Sequence, residues 1–382
     1  MQTNFEIKKS NTLKFFRTLR QHASLSRKEL ESLTGLSWGS ISTISSELLQ
    51  KNLIVAEKEV ASTGRPPERL AVNPSVCLSL GIDINSVGLS LNVVNIAGHS
   101  IHAQFVPLPN AEKDALLSIL KNEIRQILAR FPTVIGINLS MQGKLNRKTG
   151  VSIRTNFFED WKDVPLVRLF EEEFGIPTVL YHDPEALLTF HLHQDHRIKN
   201  ADNCIVIRVD DGIGMAQLFN GVLYETGDDA SCELGHIIAV PDGVPCACGK
   251  RGCLEAYSSL RGMKACYAAE KGKLAADFVA QLDAQDAAAR DVMDRACKHL
   301  GIAIANLFTL SDPDYILLDG VVPAQFSAYY ELVLSYAKEY LNGDCKLLKA
   351  TYRRDAAAIG ACLLTIEKRL EEIIFDDTLC SV

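Results

Sequence analysis

Residues 233–255 read ELGHIIAVPDGVPCACGKRGCLE, and this stretch places one imidazole and three thiols at zinc-ligand spacing between two carboxylates. His236, Cys246, Cys248 and Cys253 would complete a tetrahedral site. With four protein ligands and no open position, such a site holds a loop in shape and does no chemistry. Glu233 and Glu255 then stand at fixed positions around a rigid knot, free to face a ligand. The bland alternative is three small buried cysteines gathered by chance. Gly249 and Gly252 argue against it, because a tight metal-bound turn needs permissive backbone between its thiolates. Of eleven cysteines, the other eight (Cys77, Cys204, Cys232, Cys266, Cys297, Cys345, Cys362 and Cys380) lie scattered and show no disulfide framework. That usage fits a reducing compartment.

Upstream of the thiol loop, 204–226 carries short alternating strands, CIVIRVDDGIG, MAQLFNG and VLYET. The same pattern stands about 120 residues earlier as CLSLGIDINS, VGLSLNVVNIAG and HSIHAQFV, so the body reads as a duplicated α/β unit with a cleft between two lobes. Between the two openings, 115–130 reads as an amphipathic helix, 133–139 as a buried strand, and 140–165 as a loop with Gly143 and Gly150. A helix over 166–174 and a strand over 177–181 follow. Asp183 then falls between that strand and the next helix, at the mouth of an α/β sheet. The same residue serves equally well as a helix cap. Farther on the chain is mostly helical, with a strand at 315–319 and a last helix over 354–372.

Residues 11–52 read as three short helices. Ser26 caps the second, Gly35 ends it, and Ser37 caps the third. The third buries Ile41, Ile44, Leu48 and Leu49, which leaves Trp38, Ser40, Ser42, Thr43 and Ser45 on a small polar face suited to a DNA major groove. Strands at 53–55 and 69–72 form a wing whose far end carries Arg65 between Gly64 and Pro66, a side chain placed for a minor groove. Arg27 and Ser37 complete the DNA-facing set. Residues 1–75 hold eleven Lys/Arg against seven Asp/Glu, a charge of +4 that leaves −11 for the rest of a chain whose total is −7. A basic head on an acidic body fits a polyanion partner for the head alone. Since no apolar run reaches the roughly 18 residues a membrane span needs and the start lacks the apolar core of a signal peptide, a cytoplasmic protein is expected.

The segments ELGH (233–236) and CACGKRGCLE (246–255) resemble the signature of the ROK family, named for repressors, open reading frames and kinases. Residues 25–37 with Gly64, Arg65 and Pro66 resemble the winged helix-turn-helix of its repressor branch. The resemblance implies an actin-like, two-lobed α/β sugar-kinase fold with a sugar in the cleft. The expected organisation is a DNA-binding domain over 1–75, lobe 1 over 76–200 and lobe 2 over 201–382, with the C-terminal helix returning to lobe 1. Carried over by position, Glu233, His236 and Glu255 correspond to sugar contacts, His236 being also a zinc ligand. Asp183 falls where the kinases keep their base. Asn156 corresponds to a further sugar-contacting Asn, with Thr155 in place of the usual Pro.

Departures from the family pattern matter as much. Where the kinases carry Asp followed by a Gly-Gly-Thr-like phosphate loop, this chain has Asp83, Ile84, Asn85, Ser86 and Val87. Asp210 and Asp211 stand in the second phosphate loop, where two carboxylates would face a triphosphate; like charges near 4 Å repel by roughly 4 kcal/mol at an effective dielectric of about 20. Leu318 to Val321 breaks the nucleotide-site double glycine. ATP binding is therefore expected to be lost, and no catalytic residue is expected unless Asp183 serves a surviving kinase. His182 and Gln142 replace an Asn and a Pro beside the ligand, which leaves a sugar, a modified sugar or a sugar phosphate open. The expectation is a sugar-responsive repressor of carbohydrate genes, with structural Zn2+, a double-stranded DNA operator and a homodimer or homotetramer as its assembly. An ATP-dependent sugar kinase and a repressor governed by a protein partner stay open as alternatives.

Overall fold

Capping chemistry sets the N-terminal elements. In the computed structural model, which describes residues 3–58, 68–108, 112–155, 157–158, 160–224, 232–271, 278–341 and 343–376, helix α1 (Asn4–Arg20) opens on a reciprocal box between Thr3 and Glu6. The box starts the helix ahead of the expected residue 11. After β1 (Leu25–Ser26), the same device at Ser26 and Glu29 opens α2 (Arg27–Thr34), which Gly35 ends at φ 66°. Ser37 caps α3 (Trp38–Gln50). Strands β2 (Ile54–Lys58) and β3 (Glu68–Val72) pair antiparallel, and β1 joins the other edge of β3, so three helices and a wing are present as read. The segment with Arg65 lies outside the described residues. One reading of α3 is corrected: Ser45 is fully buried rather than on the outer face, because its hydroxyl accepts from Arg27 Nε at 3.0 Å and donates to the Ser42 carbonyl. Leu49, expected in the core, is half-buried.

The body repeats one sheet plan. Strands β4 (Leu78–Asn85), β5 (Gly88–Val94) and β6 (Ser100–Pro107) form an antiparallel meander. Helix α4 (Lys113–Arg130) leads to β7 (Val134–Met141), parallel to β4. The expected loop instead holds a small sheet of β8 (Lys144–Asn146), β9 (Val151–Arg154) and β10 (Lys162–Val164), whose strands are too short for an alternation pattern to show. Helix α5 (Leu166–Phe174), β11 (Thr178–His182), parallel to β7, and α6 (Asp183–Gln194) complete this half. The second half repeats the order with β12 (Cys204–Val209), β13 (Ile213–Phe219) and β14 (Val222–Leu223), then α7 (Glu255–Ser258), α8 (Leu260–Lys271), α9 (Phe278–Asp283) and α10 (Ala287–Ser311). Strand β15 (Tyr315–Asp319), α11 (Val321–Gln325), α12 (Ser327–Tyr340) and β16 (Leu347–Lys349) follow. The sheets run β6-β5-β4-β7-β11 and β14-β13-β12-β15-β16, each with three antiparallel strands followed by two parallel ones.

Alternation divides each sheet into an apolar and a polar face. On β4 and β7, Leu80, Ile82, Ile84, Ile137 and Leu139 enter a core with Leu116, Leu120 and Ile124 of α4. Ser79, Gly81, Asp83, Asn138 and Ser140 take the intervening positions. Against that face lies α13 (Ala356–Lys368), which returns to β4, β5 and β7 and packs along α6. The last helix read over 354–372 is in fact broken at Arg369, and α14 (Leu370–Phe375) continues to the head. Ile373 and Ile374 share a core with Phe15, Phe16 and Leu19 of α1, and Lys51 Nζ donates to the Ile374 carbonyl at 3.0 Å. Arg17 and Arg20 meet Glu367 at 2.7 and 3.2 Å. Cys77, read as unpaired, is disulfide-bonded where the chain turns at φ 52° between head and body, while the other nine described cysteines are free. No helix among the described residues is long and apolar enough to cross a membrane.

The α6–α13 crossing admits no side chain at Gly360, where a Cβ would stand 1.8 Å from the Ala186 carbonyl oxygen. In an unconstrained helix Gly→Ala adds about 1 kcal/mol of stability; here overpacking, at about 1–3 kcal/mol, sets the opposite sign. Gly360→Ala is expected to lower the urea midpoint, and a raised midpoint would show that the two helices do not meet this closely.

Candidate functional site

The parallel edge of the first sheet delivers Asp183. Strand β11 ends at His182, α6 begins at Asp183 with Pro184 in its first turn, and both residues line a cavity of about 550 Å³ with Gln142 and Gly143. The loop between β12 and β13 brings Asp211, Gly212 and Ile213 to the same cavity, and the thiol loop brings Glu233, His236 and Glu255. That volume suits a small ligand. Sequence reasoning missed Lys144, Arg154, Phe157 and Arg261, which also line it. Three of these are on or beside the small sheet that was read as loop, so nothing in the local pattern placed them at the cleft.

Glu255 is less free than the sequence suggested. The Ile213 N–H donates to its Oε2 at 3.1 Å, and Arg261 Nη2 donates to Oε1 at 2.9 Å. A Cβ at Gly212 would stand 2.7 Å from Oε2, so the close approach depends on that glycine. Each carboxylate oxygen keeps a further lone pair for a ligand. Glu233 is half-exposed, with Oε2 3.6 Å from His236 Nε2; burial raises its carboxyl pKa, and His236 opposes the shift. Asn156 lies outside the described residues.

The four expected metal ligands do converge. Their donor atoms lie within 4.8 Å of one another, with Cys248 Sγ 3.6 Å from Cys253 Sγ and Cys246 Sγ 3.7 Å from His236 Nδ1. A tetrahedron with metal–sulfur bonds of about 2.3 Å has edges of about 3.8 Å, so the donor set fits zinc in spacing and in chemistry. A 3-10 turn at Leu234–His236, bridges from Ile238 to Cys253 and from Pro245 to Arg251, and positive φ at Gly249 (91°) and Gly252 (77°) shape the loop. His236 turns Nδ1 to the thiols and Nε2 to Glu233, which links the cluster to the cavity wall.

Two of the three loops that the resemblance assigns to a nucleotide have backbone donors taken by side chains. Asn85 Oδ1 accepts from the N–H groups of Val87 and Gly88 at 3.1 and 3.2 Å. Asp319 accepts from Gly320 N–H, and Asp210 Oδ1 accepts from Val321 N–H at 2.6 Å. Phosphate oxygens need such donors free. The expected pair of carboxylates facing a triphosphate is corrected to one. Asp210 is buried against Arg208 Nε at 2.6 Å, while Asp211 lines the cavity and accepts from the Ser86 hydroxyl. Arg208 was not singled out in the sequence, although a charge at alternate position in an apolar strand is itself the signal of a buried partner.

On the head, Trp38, Ser42 and Thr43 are exposed and Ser40 is half-exposed along α3. Ser37 is committed to the cap, where its hydroxyl accepts from the Ser40 N–H. Arg27 is held within the head by Ser45 and by the Glu68 carboxylate.

A profile of the ROK family matches residues 79–368. The chain belongs to the ROK family. The xylose repressor of Bacillus spizizenii is 25% identical over 375 residues, covering 96% of this chain and 97% of its own. A glucokinase of Halalkalibacterium halodurans is 26% identical over 308 residues, covering 74% of this chain and 92% of its own. A solved ROK family transcriptional regulator, a homologue of the Escherichia coli MLC protein, shares the fold across 98% of this chain and 99% of its own, with a TM-score of 0.79 at 23% identity. The repressor match therefore extends over a part of this ROK chain that the kinase match leaves uncovered.

Burial sets the charge of Asp183 and of two histidines, His182 in the cleft and His193 beside Arg20 of the head, in this ROK chain. Burial, with Arg147 adding, holds the His182 imidazole down at about 4; burial, with Arg20, His99 and Lys199 adding, holds His193 at about 4 as well. Both rings stay neutral in the folded protein and take a proton in the unfolded chain below about 6.5, so their stabilisation is lost as pH falls from about 6.5 to about 4. Asp183 acts in the opposite sense. Burial pushes it up to about 7 against Arg208, with Asp83 and Asp210 adding, so its contribution falls as pH rises. Two groups outweigh one, and stability is expected to drop on acidification through this window. Urea midpoints from pH 7 to pH 4 should fall less steeply for His182→Gln than for the unaltered protein; equal slopes would mean that His182 titrates as a solvent-exposed ring.

Proposed function

We propose that this protein is a sugar-responsive, DNA-binding transcriptional repressor of carbohydrate genes, with residues 1–75 as the DNA reader and lobes over 76–200 and 201–382 as the sensor. The observation that carries this reading is a capped three-helix head with an open polar face, joined to a cleft rich in hydroxyl acceptors whose phosphate donors are already occupied. Asp183, Glu233 and Glu255 supply acceptors for vicinal hydroxyls, and His236 orients Glu233. Asn156 is the further contact that the resemblance implies. Trp38, Ser40, Ser42 and Thr43 face the major groove, with Arg65 for the minor groove; Ser37 and Arg27 serve by holding the helix. The assembly is a homodimer or homotetramer, so that two heads address two half-sites.

A physical route connects sensor and reader. Asp183 opens α6, α6 packs along α13, and α13 with α14 reaches α1 through Glu367, Glu371 and Ile373. A ligand that binds one cleft geometry more tightly than another biases the position of α6 and, through α13, of the head. The kinase reading is disfavoured because the Val87, Gly88, Gly320 and Val321 N–H groups, which would serve phosphate oxygens, already donate to side-chain oxygens.

Thermal unfolding against a panel of sugars, sugar phosphates and ATP tests the sensor. A ligand at about a hundred times its dissociation constant adds about 2.7 kcal/mol. One sugar or sugar phosphate is expected to stabilise the protein and release it from its operator, whereas a shift with ATP alone would overturn the reading. On the DNA side, Trp38→Ala is expected to weaken operator binding at least tenfold at unchanged melting temperature; unchanged affinity would remove α3 from the major groove.

We further propose that His236, Cys246, Cys248 and Cys253 hold one structural zinc ion, which supplies rigidity to the loop behind Glu233. Thiol modification should release one equivalent of zinc from the protein and none from Cys248→Ser. That variant should lose sugar stabilisation while its head still binds DNA. Full sugar response without metal would refute the structural role.

A further inference from the structure

Strand β12 carries a buried charge on an otherwise apolar run. Ile205, Ile207 and Val209 enter the core with α10, while Arg208 stands on the opposite face, with Cys204 and Val206, toward α6. Its side chain is 7% exposed and divides its fork among three carboxylates. Nε donates to Asp210 Oδ2 at 2.6 Å, Nη1 donates to Asp183 Oδ2 at 3.0 Å, and Nη2 lies 3.6 Å from Asp83 Oδ2. Asp210 belongs to the same half of the body as Arg208. Asp83 belongs to β4 in the other half, and Asp183 follows β11 of that half.

All three carboxylates have further partners, and for Asp183 this is the Gln142 side chain. Ser140 and Asn85 donate to Asp83 at 3.0 and 2.9 Å, and the Val321 N–H donates to Asp210. Asp183 lines the cavity, which Asp83 and Asp210 do not. Two more bonds span the same gap: Ser86 to Asp211, and His191 Nε2 with Asp319 Oδ2 at 2.6 Å.

We infer that Arg208 is a positioning residue of the ligand site: it holds Asp183 from behind as a fixed hydroxyl acceptor and, by the same bonds, pins the two lobes together at the floor of the cleft. The first half of this rests on the reading that a polyhydroxyl ligand occupies the cavity. Burial favours the neutral acid of Asp183 and the Arg208 guanidinium opposes it, so the bond supports the anion that accepts hydrogen bonds. Parting the lobes at the floor would strand a guanidinium and two carboxylates in a buried setting, so movement is confined to the mouth, where Glu233 and the thiol loop stand.

The test uses the full chain. Arg208→Met alone leaves three buried carboxylates without a cation and risks unfolding. Arg208→Met with Asp210→Asn keeps the cluster sum of the unaltered protein, one cation and three carboxylates becoming two carboxylates, −2 in each case, while removing the bridge. Arg208→Lys keeps a buried cation that cannot fork to three partners. For whichever variant retains cooperative unfolding, small-angle scattering without ligand is expected to show a larger radius of gyration than the unaltered protein. Affinity for the sugar that stabilises the unaltered protein is expected to fall at least tenfold. Superimposable scattering curves would overturn the pin, and affinity within twofold would overturn the positioning of Asp183. If no sugar stabilises the unaltered protein, the sensor reading fails, and scattering alone decides whether Arg208 pins the lobes.

Discussion

The close crossing of α6 and α13 is the constraint on which the rest of the molecule depends. Gly360 lies against the Ala186 carbonyl, and Gly81 of β4 lies against the Ala358 carbonyl, with no room for a methyl group at either. Helix α13 is therefore clamped between a sheet and a helix along its whole buried run from Ala356 to Ile366. Packing this tight transmits displacement rather than absorbing it. Because α6 begins with a cavity residue and α13 ends at the contact with α1, a shift at the cleft has little freedom to dissipate before it reaches the head.

The same crossing explains why the inner face of the first sheet can be polar. A helix of Ala and Gly brings backbone, not long side chains, close to β4 and β7, and the residues beneath it are correspondingly small or polar. Asn138 donates to Ser79 and to the Leu80 carbonyl, and Ser140 donates to Asp83. Asp83 is thus fixed by neighbours on its own sheet before Arg208 approaches from the other. A buried charge without such prior fixing would shift its protonation or draw in water. Here the cost is met by a fork that reaches three carboxylates.

What the sequence made legible follows from how local each signal is. Ser26, Gly35 and Ser37 specify helix ends through bonds spanning three or four residues, and those ends stand where the residues predict. Alternation read the meanders of both lobes because their leading strands, β4 and β12, are long enough to show a period of two. The thiol loop was legible for the same reason: its donors and its glycines fall within eighteen residues, 236–253. Signals that need a partner distant in sequence were missed. The head's hold on α14 spans most of the chain, and Ser45 is buried by an arginine that sequence placed on DNA; strands β8 to β10 pair locally and were missed because they are too short to show a period. Arg208 lay between these cases: its alternation position is readable, but its three partners are named only once the lobes are folded together.

The occupied donors at Val87, Gly88, Gly320 and Val321, in two of the phosphate loops, bear on what the cleft can do more than the retained Asp183 does. A carboxylate at the base position is necessary for phosphoryl transfer yet insufficient, since transfer depends mostly on positioning and on neutralising charge at the phosphates. In this chain Asn85, Asp210 and Asp319 each direct a side-chain oxygen to a backbone N–H in those loops, and two of the three oxygens belong to carboxylates. A triphosphate would have to displace them and would then meet their negative charge. A neutral polyhydroxyl ligand has no such conflict, because it presents donors to Asp183, Glu233 and Glu255 and asks nothing of the loops behind them. Side-chain oxygens that oppose phosphate in those loops would not oppose a sugar, and its binding free energy would be available to bias the lobes.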